Sequence, residues 1–486
     1  MTKKSNKVNI LFVASEADPF VKIGGLGDVA GSLPTAINAL SDEHTIYDIR
    51  LAIPLYGLIK QNYPDIKKEA DFKVNTGSLS INAAVFSITH NGMSVYFISG
   101  GPINENEPVY GTNFNADAEK FIFFSLACLE LPRVLKWKID ILHCNDWHTA
   151  IACHQLEKLR SSRPGYTKIK SVITLHNLPY MGSGSEDALT KFGIEPAQDA
   201  SLPVWARTIP LPMGLSSANR IVTVSPTYAL EILTPDYGCG LETFFSLNQT
   251  RLSGILNGID QSIWDPSQDL FIKQNYSLET IRKKTANKKA LQKEMGLSID
   301  LSIPLIVIVS RMDPQKGIDL AFEALRKSIH LDWQCVILGS GDPILEKTAQ
   351  SLEMEFLQRI RAKITFDSAL SHRMYAGADI LLMPSRYEPC GLSQLIAMRY
   401  GTVPIASATG GLKDTITDAT VSPGGNGFLI EKPDSDMAAH ALITAIDTFH
   451  VNKRWQEIIR NAMRSEFSWA VSANKYINLY QDLISP

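Results

Sequence analysis

The chain has 486 residues, of which 45% are hydrophobic and 20% are charged, and its formal net charge is -3. This length predicts about two or three domains, and the balanced charge excludes the global basic field that binds nucleic acid or anionic membranes. No apolar stretch approaches the ~20 residues of a membrane-spanning helix, and we recognise no signal peptide. Because the six cysteines are scattered without metal-binding spacing, we expect a cytoplasmic protein with no structural disulfide and no zinc.

In the first half of the chain, short β-branched apolar runs alternate with helical patterns. This alternation is typical of parallel βαβ units that are covered on both faces. The predicted strands are residues 8–15, 48–54, 95–99, 139–144, 170–175 and 220–225. The predicted helices are residues 26–40, 116–135, 147–159 and 226–233.

A second series of the same kind begins near Ile303, after a polar stretch at residues 260–298 that includes a lysine-rich helix at 281–295. Its predicted strands are residues 305–310, 334–338, 363–366, 380–383 and 403–407. Its predicted helices are residues 317–329, 344–361, 371–377 and 391–400. We therefore place a domain boundary near residues 251–260. We expect two doubly wound α/β domains that face each other across a cleft, with ligands at the carboxyl ends of the strands.

The first predicted strand runs into a glycine-rich loop that precedes a helix. Gly24, Gly25 and Gly27 allow close approach to the backbone, the helix start offers N–H groups to an anion, and Lys22 adds a positive charge. The spacing matches neither the Walker A nor the dinucleotide-binding pattern. Local chemistry therefore leaves two interpretations open, a tight strand-to-helix turn and an anion-binding loop.

Two strand ends in the second half carry charged side chains. Arg311 and Lys316 follow one strand and suit a diphosphate, whose charge must be neutralised as a sugar bond breaks, although a capping loop with surface cations would look the same. Glu388 lies before a helix start, where it can accept hydrogen bonds from sugar hydroxyls or simply favour the helix N-terminus. A further glycine-rich helix start, at residues 409–412, can give backbone N–H groups to phosphate.

Polar groups also stand at three strand ends of the first half, residues 143–148, 174–177 and 256–260. His176 ends a strand on the predicted cleft side, whereas Asp146 and His148 can equally cap the following helix. His143, His148 and His176 raise the possibility of a metal, but no helical HxxxH-type pair supports one. We predict no metal and no cofactor.

Taken together, these segments resemble the bacterial glycogen synthase and plant starch synthase family. The matching stretches occur in the family's order at residues 22–29, 145–148, 176–178, 224–228, 256–260, 310–311, 315–317, 384–392, 409–412 and 467–469. The resemblance implies two Rossmann-like α/β domains in the GT-B arrangement, with a deep cleft between them. It places an acceptor-side domain at 1–252, a nucleotide-sugar domain at 253–469, and a last helix, 470–486, that crosses back to the first domain.

The same resemblance implies retaining transfer of glucose from ADP-glucose to the non-reducing end of an α-1,4-glucan or maltooligosaccharide, without a metal. The implied catalytic residues hold the reacting glucose and the leaving diphosphate, and they are His176, Arg311, Lys316 and Glu388. The implied substrate-binding residues are Lys22, Gly24, Gly25, Asp28, Asp146, Asn257, Phe366, Cys390, Gly391, Thr409, Gly410 and Gly411.

Five residues depart from the family's pattern. Phe366 stands where a tyrosine is common, which keeps a stacking face for adenine but removes a hydroxyl. Lys120 and Pro212 replace a usual arginine and a usual lysine, and Ser407-Ala408 replaces a pair of arginines. The segment 182–212 also diverges from the family. We expect these departures to affect acceptor binding and turnover more than the fold or the class of donor.

Several alternatives stay open. A catalytically weakened paralogue would bind glucan or regulate a true synthase, and an active enzyme would instead use UDP-glucose or a small acceptor. Ile396 argues against relatives that carry a second glutamate eight residues after the first, and no pyridoxal-phosphate lysine signature indicates a phosphorylase. The oligomeric state and regulation cannot be read from these residues.

Overall fold

A computed structural model describes residues 6–485, so residues 1–5 and 486, which the predicted domain limits include, lie outside the described part. The chain forms two compact units. Unit 1 comprises the chain up to Gly258 together with the residues from Trp469 onward, and unit 2 comprises Ile259–Ser468. The division falls later than residue 252 because the strand Leu252–Gly254 pairs with the sheet of unit 1.

The structure defines the strands and helices as follows. The strands are β1 (Asn6–Val13), β2 (Thr45–Pro54), β3 (Lys67–Thr76), β4 (Leu79–His90), β5 (Met93–Gly100), β6 (Ile141–Asn145), β7 (Lys170–Leu175), β8 (Arg220–Thr223), β9 (Leu252–Gly254), β10 (Leu305–Val309), β11 (Gln334–Gly339), β12 (Ile360–Ile364), β13 (Ile380–Met383), β14 (Val403–Ser407) and β15 (Phe428–Ile430). The helices are α1 (Gly25–Ala39), α2 (Gly57–Asn62), α3 (Phe114–Val134), α4 (Asp146–Ser162), α5 (Glu186–Lys191), α6 (Pro210–Ser217), α7 (Pro226–Glu231), α8 (Glu242–Leu247), α9 (Lys284–Glu294), α10 (Ile318–Lys327), α11 (Pro343–Glu355), α12 (Ser368–Gly377), α13 (Ser393–Arg399), α14 (Gly410–Thr415), α15 (Ser435–His450), α16 (Asn452–Arg464) and α17 (Trp469–Ile484).

Unit 1 is built on a nine-stranded sheet in the order β3-β4-β5-β2-β1-β6-β7-β8-β9. β1 pairs in parallel with β2 on one side and with β6 on the other, so the strand order reverses there. Ile10, Phe12 and Val13 of β1 are fully buried because helices cover both faces of the sheet. This reversal point is where doubly wound sheets bind their ligands.

One edge of this sheet differs from the prediction, which assigned only parallel βαβ units. β4 pairs antiparallel with both β3 and β5. The turn between β4 and β5 is Asn91-Gly92, with φ of 49° and 76°, the conformation of a two-residue hairpin turn. The hairpin was not predicted because β3 and β4 alternate polar with apolar residues, whereas the predicted strands are continuous apolar runs.

Unit 2 carries a six-stranded sheet in the order β12-β11-β10-β13-β14-β15, in which every pair is parallel. Its strand order reverses between β10 and β13. An apolar core lies against the sheet and includes Phe322, Trp333, Tyr400 and Trp455. The predicted α/β class with two doubly wound units is confirmed.

The predicted helix 344–361 and strand 363–366 are wrong in their limits. α11 ends at Glu355, and the chain then enters β12, where Ile360 is fully buried and pairs with Cys335. The apolar residues at 352, 356, 357 and 360 are compatible with a helical period, so periodicity alone extended the helix through the turn. The sequence analysis also assigned no element to β9, β15, α15 or α16.

The last helix, α17, packs into the core of unit 1. Tyr476 and Tyr480 are fully buried, and the hydroxyl of Tyr480 lies 2.6 Å from Nδ1 of His143 in β6. The Ser472 hydroxyl donates to the carbonyl of Leu256 at 2.6 Å. Among residues 6–485, no helix combines the length and apolar character of a membrane-spanning segment.

Replacement of Tyr480 by Phe tests whether α17 stabilises unit 1 through this buried bond. The change leaves Nδ1 of His143 without its partner in a dry core, which should lower the free energy of unfolding by about 1–3 kcal/mol. Denaturant titration measures it, with the exposed Lys475→Ala on the same helix as control, expected within about 0.5 kcal/mol of the parent. Equal stabilities for the Tyr480→Phe protein and the parent would contradict the role assigned to this bond.

Candidate functional site

The predicted site residues of unit 1 lie at the carboxyl ends of adjacent strands. The glycine-rich loop follows β1, Asp146 follows β6, and His176 follows β7, and these three strands are neighbours in the sheet. Parallel pairing therefore brings together residues that are far apart in sequence.

The glycine-rich loop is held from beneath by a buried carboxylate. Glu16 accepts hydrogen bonds from the backbone N–H groups of Ile23 and Gly24, the latter at 3.1 Å, and from the Tyr110 hydroxyl at 3.1 Å. Loss of hydration raises the pKa of Glu16, although these three hydrogen bonds favour its ionised form. The sequence analysis missed Glu16 and Tyr110. An acid immediately after a buried strand was the available signal for Glu16, whereas Tyr110 lies in a loop with no local signal.

Lys22 and Asp28 face each other across the start of α1. Lys22 Nζ lies 2.5 Å from Asp28 Oδ1, and both side chains are partly exposed. Burial raises the pKa of Asp28, while the positive charge of Lys22 opposes that rise. Asp28 therefore holds the Lys22 ammonium group at the start of α1, beside the glycine-rich loop.

Glycines shape the space around this pair. A Cβ on Gly27 would lie 3.0 Å from Cγ of Lys22, so the lysine folds over the helix start only because residue 27 has no side chain. At Gly25 a Cβ would meet no heavy atom of the described chain within 4 Å. Packing within the described part of the chain therefore does not demand glycine at residue 25, and the open space beside it can admit a ligand.

Asp146 orients the loop after β7. It is buried, begins α4 with a φ of 53°, and accepts the backbone N–H of His176 at 2.7 Å as well as that of Asn177. Burial raises the pKa of Asp146 to about 7 against the effect of these two hydrogen bonds. The carboxylate therefore accepts hydrogen bonds from the residues that follow the neighbouring strand β7, and it does not cap its own helix, α4.

Asn145 determines which nitrogen of His176 carries the proton. Asn145 Nδ2 donates to the carbonyl of Val13 at 3.0 Å, which fixes the amide orientation and turns Oδ1 toward Nε2 of His176, 3.0 Å away. An amide oxygen can only accept, so Nε2 is protonated and Nδ1 carries the lone pair. Burial lowers the pKa of His176 to about 3, so the ring is neutral at physiological pH.

The other two histidines of this region have internal partners. His143 bonds Tyr480 and Thr174 inside the sheet, and His148 packs among the rings of Tyr110, Phe121 and Trp147. Burial lowers the pKa of His143 and of His148 to about 3. No group of three or more His, Cys, Asp or Glu side chains in residues 6–485 is arranged to hold a metal.

Asn257 follows β9 at the end of unit 1. It is buried, and its Oδ1 makes no hydrogen bond within the described residues. A buried amide oxygen without a protein partner can accept a hydrogen bond from a ligand hydroxyl.

In unit 2, the strand ends at the reversal point join through a short ion pair. Lys316, after β10, lies with Nζ 2.5 Å from Oε2 of Glu388, after β13, and both side chains are largely buried. Gly317 has a φ of 61°, and a Cβ there would lie 2.0 Å from the Pro384 carbonyl, so the two loops can touch only with glycine at 317. Arg311 is exposed and makes no ion pair with any residue from 6 to 485.

The segments 384–392 and 409–412 pack as one structure. A Cβ on Gly410 would lie 2.1 Å from the Glu388 carbonyl, and one on Gly411 2.2 Å from the Cys390 carbonyl. The N–H of Gly411 donates to the Glu388 carbonyl at 3.2 Å, so this particular N–H is occupied and does not serve as an anion donor. Thr409 and Cys390 are buried beside these contacts, and Gly391 adopts a φ of 73°.

Phe366 presents its ring to solvent with 85% of its surface exposed. The next residue, Asp367, caps α12 by accepting the N–H of Leu370 at 2.8 Å. No hydrogen bond joins Phe366, Arg311 or Asn257 to the other predicted site residues in the part of the chain that the structure describes. The structure thus groups the Lys22 loop with Asp28, Asp146 with His176, and Lys316 with Glu388, Cys390, Gly391 and residues 409–411.

Two family models match this chain. Residues 9–246 match a starch synthase catalytic domain, and residues 296–462 match glycosyl transferases group 1. The glycogen synthase of Thermodesulfovibrio yellowstonii is 38% identical, with 98% of each chain covered. The glycogen synthase of Clostridium perfringens is 39% identical, again with 98% of each chain covered.

A solved structure shows the same likeness. The catalytic domain of starch synthase IV from Arabidopsis thaliana, bound to ADP and acarbose, superimposes with a TM-score of 0.89 and 31% identity, covering 99% of this chain and 100% of that one. Sucrose-phosphate synthase from Thermosynechococcus elongatus, at 18% identity and a TM-score of 0.61, shares the fold.

The buried Asp146 gives the stability of the chain a pH dependence that Asp146→Asn should remove. Because its pKa is about 7 in the folded chain and near 4 when unfolded, this residue's contribution is fully present below about pH 4. It is then lost as the pH rises to about 7. The free energy of unfolding of the parent, relative to Asp146→Asn, should therefore fall by roughly 1–4 kcal/mol across that window.

Denaturant titrations at intervals from pH 4 to 8 measure this difference. Asp187→Asn, which removes an exposed carboxylate from α5, is the matched control and should not share the trend. A difference between parent and Asp146→Asn that stays constant from pH 4 to 8 would disprove the prediction.

Proposed function

The chain belongs to the glycogen synthase and starch synthase family, and on that basis we propose that it transfers glucose from ADP-glucose to the non-reducing end of an α-1,4-glucan with retention of configuration. Unit 2 binds the nucleotide sugar, and unit 1 acts on the acceptor. The reaction takes place in the cytoplasm, in keeping with six unpaired cysteines.

The observation that carries this proposal is the Lys316–Glu388 pair at the reversal point of the unit 2 sheet. A donor of this class presents an anionic diphosphate and a hydroxyl-bearing sugar only a few atoms apart. Lys316 and the exposed Arg311 supply positive charge for the diphosphate, and the buried carboxylate of Glu388 accepts hydrogen bonds from glucose hydroxyls. The exposed ring of Phe366 offers a stacking face for the base.

Unit 1 supplies groups for the sugar and the acceptor. His176 is neutral, and its Nδ1 lone pair accepts a hydrogen bond from a glucose hydroxyl. Lys22 and the Gly24-Gly25 turn approach the phosphates, while Asp28, Asp146 and Asn257 line the same side.

The residues provide no separate enzymic nucleophile in this scheme, so the reaction is a displacement on one face of the sugar. The C–O bond to the diphosphate breaks, the acceptor oxygen bonds to the same carbon, and a departing phosphate oxygen takes the acceptor proton. The protein's contribution is positional and electrostatic, since Arg311 and Lys316 stabilise charge on the leaving ADP.

The departures from the family pattern bear on the alternatives. Lys120, in place of an arginine, is buried and bonds Asp117 at 2.6 Å and the Val109 carbonyl at 2.9 Å, so it supports the loop that carries Tyr110. Pro212 is buried inside α6. These two changes are absorbed by local packing, which favours an active enzyme over a weakened, glucan-binding paralogue.

The central test is an initial-rate assay with ADP-glucose and glycogen, which should release ADP and extend chains by α-1,4-linked glucose. Lys316→Ala should lower kcat/KM by about 10²–10³-fold, because a charge stabiliser of the leaving group is lost. Lys347→Ala, an exposed lysine of the same unit, is the control.

Each alternative gives its own result in this assay. Saturable glycogen binding without ADP release would identify a weakened paralogue. Equal rates with UDP-glucose would refute the ADP preference, and extension of short maltooligosaccharides but not glycogen would refute the polymeric acceptor.

A second experiment tests Asn145 as a positioning residue for His176. In Asn145→Asp, a carboxylate beside Nε2 stabilises the imidazolium and raises the pKa of His176 from about 3. Protonation turns Nδ1 from an acceptor into a donor, so kcat of the variant should begin to fall at a higher pH than kcat of the parent as the pH is lowered. Asn145→Leu should lower kcat without shifting the profile, and superimposable profiles for Asn145→Asp and the parent would refute the assignment.

A further inference from the structure

A cavity lies in unit 1 at the amino ends of the sheet strands, opposite the carboxyl ends that carry the candidate site residues. It has a volume of about 870 Å³, and Lys170 and Arg220, the first residues of β7 and β8, line it. α4 and the end of α17 form other parts of its wall. The volume falls in the range of about 300–1,000 Å³ that is usual for small-molecule sites.

The inner wall of this cavity carries two arginines and one half-buried carboxylate, Asp199. Arg220 and Arg251 are half-buried neighbours, and Arg251 donates to the Ser216 carbonyl at 3.3 Å and to Oδ1 of Asn248 at 2.6 Å. These acceptors hold the guanidinium in place but are neutral. Among residues 6–485, neither arginine has a carboxylate within ion-pair distance.

The electrostatics agree with this geometry. Burial lowers the pKa of Arg251, the nearby charge of Arg220 lowers it further, and Asp199 opposes both. The positive charges of Arg220 and Arg251 therefore lie close together in a half-buried wall, and a bound anion would stabilise this arrangement. Lys170 and Lys158, both exposed, add positive charge at the opening.

The outer wall offers hydrogen-bond acceptors. Glu195 and Asp482 are exposed carboxylates that line the cavity. No Phe, Tyr or Trp is among the lining residues, so the cavity gives no stacking face to a nucleobase. The two arginines outweigh the single carboxylate of Asp199 on the inner wall, and exposed carboxylates stand on the outer wall. This arrangement suits a ligand with an anionic end and a hydroxyl-bearing end.

We propose that this cavity binds a phosphate monoester that carries several hydroxyl groups, such as a sugar phosphate. The phosphate lies against Arg220, which can donate in pairs to its oxygens. Arg251 adds positive charge and its one remaining N–H beside it. The hydroxyls donate to Glu195 and Asp482. This site is separate from the donor site and does not depend on the proposed function.

The cavity is connected to the candidate site through two rigid elements. α4 begins at Asp146 and carries His154 and Lys158 on the cavity wall. β7 begins at Lys170 in the cavity and ends at Leu175, immediately before His176. A ligand here therefore contacts the far ends of the helix and the strand that position Asp146 and His176.

Titration calorimetry of the full chain with glucose 6-phosphate, in the presence of saturating ADP, tests the proposal. ADP occupies the diphosphate site, so heat that remains reports a second site. Arg220→Gln should weaken this binding at least 10-fold, whereas Lys316→Ala in unit 2 and the exposed Arg133→Gln in unit 1 should leave it unchanged.

Glu195→Ala separates the two ends of the ligand. It should weaken glucose 6-phosphate binding several-fold and leave the affinity for inorganic phosphate unchanged. The proposal is overturned if saturating ADP abolishes the heat, if Arg220→Gln binds as the parent does, or if Glu195→Ala affects neither ligand. Loss of enzymatic activity in Lys316→Ala with retained glucose 6-phosphate binding would distinguish this site from the catalytic one.

Discussion

Parallel pairing of β1 with β6 in unit 1 and of β10 with β13 in unit 2 is the constraint on which the candidate site residues of each unit depend. Each pairing places two carboxyl ends side by side where the strand order reverses, and after β10 and β13 the two loops touch. In unit 2 this contact is so close that Gly317 has no room for a side chain against the Pro384 carbonyl. Without that approach, Lys316 and Glu388, distant in sequence, would have no reason to form a pair.

Buried carboxylates then fix the loops that parallel pairing brings together. Glu16 and Asp146 each accept backbone N–H groups from a loop, and hydrogen bonds to a charged group contribute about 1.5–3 kcal/mol each. Removing a carboxylate from water costs several kcal/mol, so the hydrogen bonds offset that cost incompletely. The part of the desolvation cost that the hydrogen bonds do not offset raises the pKa of both Glu16 and Asp146. The loops are therefore ordered before any ligand binds, at some expense in stability near neutral pH.

Much of this arrangement could be predicted from the sequence, because buried parallel strands leave continuous apolar runs and their ends carry conspicuous glycines and charges. Lys316 and Glu388 were identified in this way, but their direct contact was not, since it depends on strand order. The roles of Glu16 and Asn145 were not predicted, although Asn145 lies in one of the matching stretches. Glu16 fixes a loop and Asn145 fixes an imidazole tautomer, and neither role can be recognised from a single residue in the sequence. The β4–β5 hairpin was missed although Asn91-Gly92 is a recognised hairpin turn, because one edge of the sheet departs from the dominant pattern.

The two site lysines are each engaged by an acid of their own unit at 2.5 Å, whereas Arg311 has no such partner within the described residues. In the proposed reaction the diphosphate competes with Glu388 for Lys316. When the lysine turns to the diphosphate, the buried carboxylate needs new donors, and the glucose hydroxyls of the same donor supply them. ADP alone has no hydroxyls at that position, so its binding would leave Glu388 buried without its cation, which is costly. With these proposed roles, the pair would favour the intact donor over the product, and the loss of glucose to the acceptor would itself promote the return of Lys316 to Glu388 and the release of ADP.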